Sequence, residues 1–69
     1  MSRIIWDRAG NPTEYVSDAL GIQRFQLRMA LHKIKARSDL GGRDRVIVYD
    51  DGRVTDINGE DIGNIHDEF

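Results

Sequence analysis

Sixty-nine residues suffice for one small domain with a modest core, and the absence of cysteine removes a disulfide framework or a thiolate metal centre as its staple. No apolar run reaches the ~18 residues of a membrane span, and the opening Met1-Ser2-Arg3-Ile4-Ile5-Trp6-Asp7 lacks the long apolar region of a signal peptide. A net charge of −2 excludes an overall basic nucleic-acid binder but conceals a split: residues 1–37 carry seven Lys/Arg against three acids, and residues 38–69 three Arg against nine acids.

In chain order, residues 3–6 are a β-prone run suited to an edge strand, and Asp7-Arg8-Ala9-Gly10 reads as a turn. Asn11-Pro12-Thr13-Glu14 reads as a helix start, with Asn at the N-cap, Pro at the first helical position and Glu placed to bond back as in a capping box. The predicted first helix covers about 12–20, with Tyr15, Val16, Ala19 and Leu20 as its apolar positions, and Gly21 ends it in a left-handed conformation. A second helix is predicted over about 23–36. At ~100° per residue, Leu27, Ala30, Leu31 and Ile34 share one side. Arg24, Arg28, His32 and Lys35 form a second stripe beside it, either a solvated face or a line of positive charge for nucleic-acid phosphates.

Residues 38–44 read as a loop anchored by Leu40, after which the period changes to two. Residues 45–49, 53–57 and 61–65 read as three strands, joined by Asp50-Asp51-Gly52, a type I′ hairpin signal, and by Asn58-Gly59. Residues 66–69 read as a tail. The expected architecture is therefore a single α+β domain over 1–69: two N-terminal helices packed on one face of a three-stranded antiparallel β-meander, with room for a short N-terminal edge strand. No internal repeat, low-complexity tract or linker interrupts it.

Two motifs bear on function. From Val16 to Leu31 the chain resembles the helix-turn-helix of bacterial DNA-binding domains: a Gly between two helices, an apolar residue after it, then Leu27 and Leu31 at the spacing that packs a recognition helix. It departs from that pattern in having Phe25 where a small polar residue normally faces DNA, and in showing only two helices. The second motif is longer. Ala30-Leu31-His32-Lys33-Ile34-Lys35, then Leu40-Gly41-Gly42-Arg43-Asp44-Arg45-Val46-Ile47-Val48-Tyr49, then Asp51-Gly52-Arg53-Val54-Thr55-Asp56 are followed by Asn58-Gly59-Glu60-Asp61-Ile62-Gly63-Asn64-Ile65-His66-Asp67-Glu68. Over these two-thirds of its length the chain resembles the C-terminal toxin domains of bacterial polymorphic toxins, of the Rhs and contact-dependent-inhibition type, and is similar in its helix-then-meander pattern to the cytotoxic domain of rRNA-cleaving colicins. Those colicins carry Asp, His and Glu on the meander; Asp50 matches the Asp, whereas no His or Glu follows on the strands.

The resemblance implies a metal-independent endoribonuclease: a base removes the ribose 2′-OH proton, the oxygen attacks the phosphate and an acid protonates the leaving 5′-oxygen. His32 is the best candidate for proton transfer, since an imidazole titrates near neutral pH. Lys35 and Arg28 flank it as cations, Asp50 or Asp51 can act as base or orient the ring, and Arg24, Arg45 and Arg53 can bind phosphate. Trp6 and Tyr49 are core residues or stacking surfaces for a base; His66 reads as a tail residue and the Asp50-Asp51 pair as turn chemistry. No cofactor, metal site, P-loop or nucleophilic Ser or Cys is expected, Gly41-Gly42 being too short to cradle phosphate alone. The implied partners are nucleic acid, RNA ahead of DNA, and a cognate immunity or antitoxin protein that meets the Arg24/Arg28/Lys35 stripe with acidic side chains. The implied site of action is the cytoplasm, after delivery from a larger secreted protein. A non-enzymatic helix-turn-helix regulator and a protein-interaction adaptor are the alternatives.

Overall fold

A computed structural model of the chain describes residues 3–6 and 12–69. The fold is α+β. Strand β1 (Ile4–Trp6) is followed by helices α1 (Thr13–Leu20) and α2 (Arg24–Arg37), strands β2 (Ile47–Tyr49), β3 (Arg53–Thr55) and β4 (Asp61–Asn64), and a 3-10 turn (Ile65–Glu68). The sheet has four antiparallel strands in the order β1-β2-β3-β4, not three: the N-terminal run joins the meander by pairing Ile4 with Tyr49.

Alternation along the strands separates the two faces. Ile5, Val48 and Val54 are buried and point toward the helices, where they meet Val16, Leu20, Leu27, Ala30, Leu31, Ile34 and Ile65 in one apolar core. Leu27, Ala30, Leu31 and Ile34 are the α2 positions that helical periodicity selects. In α1 the buried phase is Val16, Ser17 and Leu20, while Tyr15 and Ala19 face solvent. Ser17 tolerates burial because its hydroxyl donates to the Glu14 carbonyl at 3.1 Å.

The expected Asn11 cap and the turn at 7–10 lie outside the described residues. Pro12 occupies the N-cap position of α1, one residue later than the cap expected from sequence. At the other end Gly21 is left-handed (φ 70°), and the bonds Gly21 N–H to Asp18 C=O (3.1 Å) and Ile22 N–H to Ser17 C=O (3.0 Å) complete a Schellman motif. Helix α2 starts with the Gln23 N–H donating to Gln26 Oε1 at 2.9 Å.

The first hairpin is wider than a two-residue type I′ turn. Asp50 and Asp51 lack the positive φ which that turn demands; Gly52 carries it instead (φ 91°), with its N–H donating to Tyr49 C=O at 2.9 Å. This is the three-residue hairpin with a glycine bulge, and the Asp56–Gly59 corner repeats the pattern. The last residues are not a tail. Ile65 is fully buried, its N–H donates to Gly52 C=O at 2.8 Å, and the 3-10 turn packs on α2.

Candidate nucleic-acid interface

Helix α2 buries its Leu27/Ile34 side, so its next flank is turned toward the β1 edge of the sheet. Arg24, Arg28 and His32 are exposed there and Lys35 is half-buried. Along this flank lies a groove of about 250 Å³ lined by Trp6, Arg28, Leu31, His32, Lys35 and Gly42.

Its walls follow from local sequence. Strict alternation in β1 would put Trp6 on the same face as exposed Ile4, but the register shifts between Ile4 and Trp6, and the bulge re-aims the indole toward α2. The opposite wall is the 38–44 loop. Leu40 packs against the core, its N–H donates to Lys35 C=O at 2.8 Å, and Asp44 and Gly41 exchange two hydrogen bonds of 2.6 and 3.0 Å. Lys35 reaches across with its Nζ donating to Gly42 C=O at 3.2 Å. That contact leaves further N–H donors on the ammonium for a ligand.

The flank is not neutralised by the acidic half of the chain. Among the described residues, Arg24, Arg28, His32 and Lys35 have no carboxylate partner. Glu68 instead pairs with Arg37 at the C-terminal end of α2, and its hydrogen bond and charge hold that guanidinium above its ordinary pKa. A second surface groove of about 380 Å³, lined by Gln23, Arg24, Phe25 and Arg28, continues along the N-terminal part of the helix.

The sequence-selected residues divide into two groups. Arg24, Arg28, His32 and Lys35 are brought together along α2, whereas Asp50, Arg45 and Arg53 line neither groove. Asp50 closes the open end of the β1–β2 pair: its Oδ1 accepts from the Arg3 N–H at 3.0 Å and its own N–H donates to Arg3 C=O at 2.8 Å. Arg53 lies on the helix-free face of the sheet, its guanidinium 4.2 Å from the Tyr49 ring centroid and its Nε buried without a hydrogen-bond partner among the described residues. Arg45 is exposed ahead of β2. Asp51 Oδ1 accepts from the Arg53 N–H within the hairpin at 3.0 Å. The loop carbonyl of Gly42 and the Phe25 wall escaped sequence reasoning. Phe25 did leave a signal, as an aromatic out of phase with the buried side of α2.

The groove thus combines one imidazole, a guanidinium, an ammonium and one indole face, a set that can hold a phosphate, stack a base and move a proton. Among the described residues no three His, Asp or Glu side chains converge on a common point as metal ligands would, and no helix is long and apolar enough to cross a membrane. The chain matches no protein-family model, no curated protein and no solved structure.

Proposed function

We propose that this chain is a toxin-type domain that binds RNA along α2 and cleaves it by attack of the ribose 2′-oxygen on the adjacent phosphate. The observation that carries the reading is the open groove beside the Arg28–His32–Lys35 flank, which has no carboxylate partner among the described residues. In this reading the neutral imidazole of His32 takes the 2′-OH proton as the oxygen bonds to phosphorus. The bond from phosphorus to the 5′-oxygen breaks, and the Lys35 ammonium gives its proton to that leaving oxygen. Arg28 stabilises the extra charge on the equatorial oxygens. The products are a 2′,3′-cyclic phosphate and a 5′-hydroxyl. In this reading Asp50, whose Oδ1 accepts from the Arg3 N–H, is assigned no step.

The test is incubation of total RNA with the purified chain, followed by end-group analysis. Cyclic-phosphate ends that disappear in His32→Ala support the reading; intact RNA at full solubility of the wild-type chain overturns it. In the producing cell such a domain needs an inhibitor, and an acidic protein seated on Arg24, Arg28 and Lys35 would supply it. The domain would act in the cytoplasm of a target cell, delivered as part of a larger secreted protein.

A second reading, a helix-turn-helix regulator, is favoured by the Schellman corner between α1 and α2 and the exposed Arg24 and Arg28. It predicts duplex DNA binding that weakens in Arg24→Ala and Arg28→Ala, with RNA left uncut. An adaptor would show neither behaviour.

A further inference from the structure

Helix α2 carries a feature that core packing does not require. Phe25 and Met29, one turn apart, are 61% and 53% exposed although the same helix already buries four apolar residues. Phe25 walls the 380 Å³ groove together with Gln23, Arg24 and Arg28, and Arg28 also lines the groove that holds His32. The two grooves therefore meet at one guanidinium. Together they follow α2 from Arg24 to Lys35, about 16 Å of helix axis at the standard rise. An aromatic wall stands on either side of Arg28, Trp6 in one groove and Phe25 in the other, and cations punctuate the line at Arg24, Arg28 and Lys35.

Alternation of flat apolar faces with fixed cations fits a single nucleic-acid strand, whose bases are free to stack while its phosphates are neutralised between them. A duplex keeps its base faces stacked inside and offers nothing to Phe25. We infer that the Phe25 groove is a neighbouring-nucleotide subsite: the base next to the cleaved step stacks on the Phe25 ring while its phosphate is shared by Arg24 and Arg28. Phe25 is then a positioning residue that sets how long a strand must be to bind well. The inference rests on the RNA reading given above, and it names that reading's ligand as single-stranded RNA longer than the dinucleotide that the His32 groove accommodates.

Trp6 is the only tryptophan of the chain and lines the His32 groove, so its emission reports occupancy there. Non-cleavable 2′-O-methyl oligoribonucleotides of two and four nucleotides are titrated against wild type, Phe25→Ala and Phe25→Tyr, with thermal melts as a folding control. Wild type is expected to bind the tetranucleotide about ten-fold more tightly than the dinucleotide, Phe25→Ala to lose that gain while keeping dinucleotide affinity, and Phe25→Tyr to retain it. Equal affinity of wild type and Phe25→Ala for the tetranucleotide overturns the subsite while the RNA reading stands. Absence of binding by wild type to either oligonucleotide overturns the RNA reading itself. Unchanged RNA affinity in Phe25→Ala, accompanied by loss of a stoichiometric acidic protein partner, assigns the ridge to protein recognition and likewise overturns the subsite.

Discussion

His32 stands one turn from Arg28 and three residues from Lys35 on the same flank, and it is the member of that set whose side-chain chemistry suits proton transfer near neutral pH. If it supplies the base, His32→Ala lowers RNA cleavage by about 10²- to 10⁴-fold while oligonucleotide affinity stays within a small factor. Cleavage and Trp6 fluorescence titration measured on the same preparation check this, and parallel loss of both would show that the ring binds rather than reacts. Lys35 is a harder residue to test because its ammonium also holds the Gly42 carbonyl. Lys35→Arg keeps the charge and a donor, so it isolates proton donation from loop anchoring better than Lys35→Ala. The helix spacing made Arg24, Arg28, His32 and Lys35 legible from sequence, because 3.6-residue periodicity fixes which side chains share a flank. It could not place Asp50. Its partner is a backbone N–H 47 positions away, and no local period encodes that contact.

At the scale of elements, β4 comes close to α2 at Gly63. A Cβ built on Gly63 would lie 3.1 Å from Ile34 Cγ1 and 3.3 Å from Cγ2. Ile34 is fully buried and β-branched in a helix, where its χ1 is essentially fixed, so it cannot swing aside. Gly63→Ala is expected to cost about 1–3 kcal/mol by overpacking, read as a lower denaturant midpoint at unchanged slope. Ile34→Ala alone costs about 2–5 kcal/mol. Combined with Gly63→Ala it should cost less than the two changes separately, since the Ile34 Cγ1 and Cγ2 that crowd the added methyl are then gone. Strictly additive losses would place the strain elsewhere. Both helices, the loop and the meander were legible because their periods differ and glycines mark their ends. The fourth strand and the 3-10 turn were harder to place. Ile4–Trp6 becomes a strand only by pairing with β2, more than forty residues on, and Ile65–Glu68 earns its place through Ile65 in the core and Glu68 on Arg37.

For the whole molecule the charge split becomes spatial. Many of the acids of the C-terminal half sit in the hairpins and the final turn, where Asp50, Asp51 and Asp56 accept hydrogen bonds from backbone N–H groups close to the strand ends. Among the described residues, none of these acids pairs with Arg24, Arg28, His32 or Lys35, so the α2 flank stays cationic in a net acidic chain. Binding of single-stranded RNA with one phosphate shared by Arg24 and Arg28 and the next held by Arg28 and Lys35 should then fall with salt with a log–log slope of about −1.4, at roughly 0.7 per neutralised phosphate. Replacing Arg24 and Arg28 together by Ala should flatten that slope by roughly 0.7. A slope near zero in titrations across a salt series would remove phosphate contact from the account.

The indole that faces His32 arrives on a strand only three residues long, hinged by a bulge and fastened at its start by the Asp50–Arg3 exchange. Peeling that ribbon away would leave the helices, the hairpins and most of the apolar interior assembled while removing one bank of the channel. Tryptophan emission should consequently redden on heating before far-ultraviolet circular dichroism collapses, and any catalytic competence would vanish with the first signal rather than the second. Coincident transitions would mean that the ribbon and the interior melt together. Separated ones would describe a domain that can be disarmed without being denatured.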